Sequence, residues 1–275
     1  MSTNISKVQE LNTKNVKFIE QFGGKIIPLE PLGAKVSGID LTSTKNIPSE
    51  VVDALEKEMA SRGFIVFKNK KQLTSNEFLD ASCLWGGKEI HSTHGVHKES
   101  PNRHIFRVSN DPNHGILGVG PQWHNDGSFN LATFSHAGYH IIKPAKNGGG
   151  TYFAHQGIAY DELPEELKEF WSRLSSVNSA SGVVHPMVHE HPITKQKSIW
   201  LHLGMTGAII EKLASANIFR LLQENEMKKL FHQYNDILNA GLENGYALNY
   251  EYEENDCIFI DNLAVAHKAA PQAHM

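Results

Sequence analysis

Cysteine is scarce in this chain of 275 residues: Cys83 and Cys257 stand far apart and outside any Cys-x-x-Cys spacing. That excludes a disulfide framework and a thiolate zinc site, and it predicts free thiols in a reducing compartment. Both cysteines sit in apolar segments, where a structural role outweighs a reactive one. Excess positive charge is also missing. The net charge is −4 and no Lys/Arg cluster forms a phosphate-tracking stripe, so nucleic acid is not an expected partner. No run of about eighteen apolar residues offers a membrane span. Met1 to Asn15 is polar, carries Glu10 and lacks the apolar stretch of a secretory signal. The expectation is a soluble, cytoplasmic protein with no membrane partner. Several chemistries lack their motifs as well. Gly148-Gly149-Gly150-Thr151 has no Walker lysine, Gly118-Val119-Gly120 has no third glycine and no helix to follow, and no Gly-x-Ser-x-Gly elbow occurs.

What is present is an ordinary globular composition, 40% hydrophobic and 20% charged. Short strands are expected over residues 24–29 and 34–39, separated by Pro31 and Gly33. Ser49 is the expected cap of a helix with Val51, Val52, Leu55 and Met59 on its apolar face, ending at Arg62-Gly63. Phe64-Ile65-Val66-Phe67 reads as a buried strand. Thr74 and Glu77 have capping-box spacing for a second helix. Residues 88–122 are rich in His, Asn, Gly and Pro, with one expected strand at Ile105 to Ser109. Further strands are expected from His136 to Ile142, at Thr151 to Ala154, and over Ser175 to Ser181, Ser198 to His202 and Cys257 to Asp261. Pro164 opens a helix burying Leu167, Phe170, Trp171 and Leu174. Met227 to Leu238 forms another, closed by Gly241. Strands spread from end to end with helices inserted between them. That predicts a mainly β (α+β) fold with a jelly-roll core, and one domain over residues 1–275.

The chemistry concentrates at Trp123-His124-Asn125-Asp126-Gly127-Ser128-Phe129. On an extended strand, residues two apart share a face, so His124 and Asp126 can aim a nitrogen and an oxygen at one point. Two histidines and a carboxylate make the facial triad of non-haem iron sites, and His267, after a buried strand, is placed to be the third ligand. Taken alone, the triplet reads first as a polar turn before a strand, since a chain with 16 histidines contains such spacings by chance. His91, His94 and His97, and the group His185, His189 and His191, lack the helical His-Glu-x-x-His arrangement. They read as solvated or core-capping residues.

Other segments reinforce the triplet. Leu32 to Asp40, Gly63 to Phe67, the metal motif at 123–129, Gly148 to Phe153, His185-Pro186 through His191-Pro192 with Trp200 to Gly204, and Asp261-Asn262 with His267-Lys268-Ala269 follow one another in a specific order. In that order the chain resembles the TauD/TfdA-type branch of Fe(II)/2-oxoglutarate-dependent dioxygenases. The resemblance implies a double-stranded β-helix (jelly roll) with helical insertions. It implies that His124, Asp126 and His267 hold Fe(II), that Thr151 hydrogen-bonds the 2-oxoglutarate carboxylate, and that O2 is the other co-substrate. The retained Asp126 favours hydroxylation, desaturation or oxidative cyclisation over halogenation, with release of succinate and CO2. The family clamps the distal carboxylate with an arginine after the distal histidine. None follows His267 here, Lys268 is poorly placed beside the ligand, and a C-terminal segment is expected to be missing. The substrate is expected to be a small anionic or amino-acid-derived molecule. Arg103, Arg107, Asn110 and Phe129 are its candidate contacts. A zinc hydrolase using the same residues and a non-catalytic jelly-roll binding protein are the alternatives, and a homo-oligomer is compatible with the sequence.

Overall fold

The structure is a computed structural model describing residues 7–69, 71–87, 95–213 and 218–271. The chain opens with α1 (Thr13–Gln21), β1 (Lys25–Pro28), β2 (Ala34–Ser37), α2 (Ser49–Arg62), β3 (Phe64–Lys68) and α3 (Ser75–Ser82). It continues through β4 (His136–His140), β5 (Thr151–His155), α4 (Gln156–Asp161), α5 (Glu165–Ser172), β6 (Leu174–Asn178) and β7 (Val184–Pro186). Next come β8 (Val188–Glu190), β9 (Lys197–Ile199), β10 (Thr206–Lys212) and β11 (Phe219–Leu221). The last elements are α6 (Glu224–Asn244), β12 (Ala247–Tyr250), β13 (Asp256–Asp261) and β14 (Val265–Ala269).

Two sheets enclose the core, in the expected jelly-roll manner. The larger has the order β1-β2-β3-β13-β4 and the smaller β12-β5-β14. Phe64 of β3 stacks on Phe153 of β5 across the gap, with ring centroids 4.5 Å apart. The uninterrupted apolar runs of β3 and β13 are explained by burial on both faces. Phe64, Val66, Ile258 and Ile260 join the inner core. Ile65, Phe67, Cys257 and Phe259 pack with Val51, Leu55 and Met59 of α2 on the outer face. Each such side chain contributes about 1.5–3 kcal/mol. β2 and β3 are parallel, which requires a crossover, and α2 supplies it. The four-stranded sheet β11-β10-β6-β7 and the pair β8-β9 flank this core.

Some local expectations change. The capping box of Thr74 and Glu77 is present. Ser49, however, is the first helical residue, and Pro48 occupies the cap without a side-chain bond. Pro164 is likewise the cap of α5 rather than its first residue. Helix α6 passes through Gly241 and ends at Gly245, which takes the left-handed φ of 77° that a terminating glycine adopts. Gly241 instead allows close packing: a Cβ there would lie 2.7 Å from the Tyr246 ring. Ile105 to Ser109 forms no strand. Ser100 Oγ holds the Asn102 and Ile105 carbonyls in a turn, leaving one parallel bridge between Val108 and Ile116.

Candidate metal centre

β13 belongs to the larger sheet and β14 to the smaller, so the turn between them carries the chain across the core. Asp261 builds that turn. Its Oδ1 accepts from the Leu263 and Ala264 N–H groups at 2.9 and 3.0 Å, and His191 Nε2 donates to Oδ2 at 3.0 Å. His191 accepts at Nδ1 from the Ile193 and Thr194 N–H groups, which puts its ring proton on Nε2. The second histidine group is therefore structural at His191. In the first group, His91 and His94 lie outside the described residues, and His97 accepts from the Glu99 N–H.

The register pairs His267 with Phe153 and Ala269 with Thr151. Thr151, Phe153 and His267 consequently share one face of the small sheet. Residues 120–124 extend that sheet beyond β14. His124 N–H donates to the His267 carbonyl at 3.0 Å, His267 N–H returns a bond of 2.9 Å, and Ala269 N–H reaches the Gly120 carbonyl at 2.7 Å. A reciprocal pair of this kind sets its two side chains opposite each other on the same face. The imidazole centroids are 4.2 Å apart. Asp126, two residues on, converges on the same point. Its Oδ1 lies 3.7 Å from His124 Nε2 and 3.6 Å from His267 Nε2.

The donor atoms of these three buried residues fall within 4.8 Å of one another, the one such group found among the described residues. Two imidazoles and a carboxylate suit a divalent first-row metal ion. The tautomer suits it as well: the Gln122 carbonyl lies 2.8 Å from His124 Nδ1, so that nitrogen carries the proton and Nε2 presents its lone pair. Gly120 keeps that nitrogen clear. It has a φ of +64°, and a Cβ there would lie 2.7 Å from His124 Cε1 and 3.3 Å from Nε2.

Asn125 points to the opposite face, into the protein. It donates to Gln156 Oε1 at 2.8 Å and to the Asn262 and Val265 carbonyls at 2.7 and 3.0 Å. Gln156 returns a bond to Asn125 and donates to the Tyr234 hydroxyl. Asn262 accepts from the Asp126 N–H at 2.8 Å and donates to the Asp126 carbonyl at 2.9 Å. A buried amide network thus locks the two ligand-bearing segments together. Sequence reasoning marked Asn125 and Asn262 only as motif letters and missed Gln156 and Tyr234. Amides carry no periodic signal.

Thr151 is buried beside the cluster, its hydroxyl 2.5 Å from the Tyr252 hydroxyl. The Tyr139 ring centroid is 6.0 Å from that of His267. Burial pushes the Tyr139 phenol well above its ordinary range, and Asp126 adds to this. Burial pushes Tyr252 up to about 12, against the Thr151 bond, which favours ionisation. Both phenols stay protonated, and the Tyr252 hydroxyl can donate to Thr151. Lys268 lies on the other face of β14. Its ammonium donates to Asn239 at 2.7 Å and sits 4.7 Å from the Trp123 ring centroid. His202, unassigned in the sequence reading, stands 4.9 Å from His124 between ring centroids. Arg103 and Asn110 are exposed, and Arg107 is half-buried, donating to the Glu99 carbonyl. Phe129 packs against Phe134 with centroids 6.1 Å apart.

A family model described as taurine catabolism dioxygenase TauD, TfdA family matches residues 25–274. The chain belongs to the TauD/TfdA dioxygenase family. It is 26% identical, over 89% of its length, to an alpha-ketoglutarate-dependent sulfonate dioxygenase of Saccharomyces cerevisiae, of which it spans 61%. It is 23% identical to an alpha-ketoglutarate-dependent sulfate ester dioxygenase of Pseudomonas putida, with 86% of this chain and 81% of that protein covered. The crystal structure of a taurine dioxygenase from Burkholderia xenovorans shares the fold, with a TM-score of 0.71 at 20% identity, covering 90% of this chain and 82% of that one. Dioxygenases of this kind use Fe(II), 2-oxoglutarate and O2, and the His-Asp-His donor set fits that requirement.

Proposed function

We propose that this protein is an Fe(II)/2-oxoglutarate-dependent oxygenase acting on a C–H bond of a small anionic molecule, a sulfonate or sulfate ester. The observation that carries the reading is the reciprocal His124–His267 backbone pair with Asp126 converging on it. His124, Asp126 and His267 would hold the iron. When bound there, Fe(II) supplies open positions for the 2-oxo acid and O2, coupling decarboxylation to succinate with oxidation of the substrate.

The chain's own residues do the rest. The Thr151 hydroxyl, backed by Tyr252, donates to a carboxylate of 2-oxoglutarate on the β5 side of the cluster. Burial of the three ligands excludes water from the reacting centre. The amide network of Asn125, Gln156 and Asn262 keeps the ligands in register. The substrate class is supported by the sulfonate and sulfate ester dioxygenases among the relatives. Arg103, Arg107, Asn110 and Phe129 are proposed contacts on grounds of position, in the stretches that lead into and out of the ligand motif.

The test is an anaerobic titration of the full-length protein, first with Fe(II) and then with 2-oxoglutarate. The reading expects the weak visible absorption of the chelate, and expects His267→Ala to abolish it. A protein that binds Fe(II) but never develops the band refutes the assignment.

A further inference from the structure

The sheet β11-β10-β6-β7 ends in an open edge at β11. β10 and β11 pair with Ile210 opposite Leu221, Glu211 opposite Arg220 and Lys212 opposite Phe219. On either side of these pairs, the Leu213 N–H donates to the Ile218 carbonyl and the Leu222 N–H to the Ile209 carbonyl, both at 2.9 Å. Bonded and unbonded pairs alternate along an antiparallel ladder, so Glu211 and Arg220 form the bonded pair in between. Phe219 and Leu221 therefore turn their N–H and C=O groups outward, away from β10. No hydrogen bond reaches those groups among the described residues. Folded proteins blunt such edges with a lysine, a proline or a bulge. Phe219-Arg220-Leu221 has none of these and is protected only by being short.

The side chains match the edge. Phe219 and Leu221 share the outer face of the sheet and are each 60% exposed. On that face Ile210 stands beside Leu221, and Ala208, Val177 and Val184 make the next row. A second copy of the chain fits this surface by symmetry. A two-fold axis through Arg220 lays β11 antiparallel to β11 of the second copy, with Phe219 of each opposite Leu221 of the other. Every outward N–H and C=O group then gains a partner, and each aromatic ring meets a leucine across the seam. The charges agree as well. Arg220 meets its own copy on the other face, but Nε donates to Glu211 and Nη1 to Glu226, each at 2.8 Å. The two guanidiniums thus lie among carboxylates of both copies, and no bare like charge opposes the pairing. A seam of one short strand falls below the roughly 1,200 Å² of a standard interface, which makes the association weak and concentration-dependent.

We propose that β11 is a self-association edge, through which two copies of this chain join into one continuous sheet about a two-fold axis at Arg220. The test is sedimentation velocity of the full-length protein from low to high micromolar concentration. Wild type should pass from monomer to dimer. Phe219→Lys and Leu221→Lys, at exposed positions, should each weaken association by about tenfold or more while leaving metal titration unchanged. The register has its own test. Arg220→Cys in a Cys83→Ser background sets the two Cα atoms about 4.5 Å apart, within disulfide reach. Oxidation with copper phenanthroline should then give a covalent dimer on non-reducing gels, while Glu211 keeps Arg173 as a partner. Lys212→Cys, one strand back from the seam, should give none. A wild type that stays monomeric overturns the proposal, as does a dimer indifferent to both lysine variants. Crosslinking through Lys212→Cys but not through Arg220→Cys overturns the axis.

Discussion

His155 makes the fold acid-sensitive. It caps α4 by accepting the Ile158 N–H at Nδ1 and is fully enclosed. Burial drives its pKa from 6.5 down to about 4, against a smaller opposing effect of the Ser61 backbone. A base with a lowered native pKa is protonated first in the unfolded chain, so stability is whole above pH 7 and declines as pH falls from 6.5 towards 4. Each pH unit in that window costs about 1.4 kcal/mol, which gives about 2 kcal/mol at pH 5 and about 3 at pH 4. Asparagine is a good helix cap and does not titrate in this range. His155→Asn therefore keeps the cap and removes the proton site, at a fixed cost for the smaller side chain. Urea unfolding of the metal-free protein at pH 7.5, 6 and 5 measures the difference. The wild type should lose about 2 kcal/mol more than the variant between pH 7.5 and 5. Parallel pH profiles, agreeing to within about 0.5 kcal/mol, would refute the reasoning.

Gly120→Ala forces a methyl group against the Cε1–Nε2 edge of His124 at an unfavourable φ. Metal affinity by calorimetry should fall at least tenfold, with a stability cost of only about 1–2 kcal/mol. Asn125→Leu leaves Gln156 and two buried carbonyls without their partner. At about 1–3 kcal/mol for each unmade bond, denaturation should show a loss of about 4 kcal/mol, and metal affinity should drop about 10- to 100-fold. Lys268→Met breaks the bond to Asn239 and the contact with Trp123 on the far face. Stability should fall by about 1–2 kcal/mol while the metal titration stays unchanged; a weakened metal site would show that the two faces of β14 are coupled.

The parts of this molecule legible in its sequence are those with a period or a cap. Phe64 to Phe67 and Cys257 to Asp261 announced buried strands because side chains on both faces are apolar. Thr74 and Glu77 announced a helix start because two backbone donors need them. The His124–Asp126 spacing announced a shared face. Other features depended on tertiary partners and left no local trace. Ile105 to Ser109 looks like a strand until Ser100 bonds its first carbonyl, and Gly241 looks like a stop until Tyr246 packs against it. His202 was invisible as a site residue because its neighbour His124 lies far away in sequence and is joined to it only through sheet order. The amides behind the ligands were equally silent, since their meaning is their hydrogen-bond partners.

The backbone bridge between His124 and His267 also couples metal binding to closure of the sheet. Asp126 and its clamp Asn262 are 136 residues apart in sequence, so their contact must repay the entropy of closing a long loop. Until β14 docks, His267 does not face His124 and Asp126, and the donor set is incomplete. Full metal affinity therefore requires the docked seam. Once the seam has closed, an ion at 100 times its Kd adds about 2.7 kcal/mol against reopening. Chelation should accordingly loosen β14 and the 120–124 edge together, before the helices of the outer face respond.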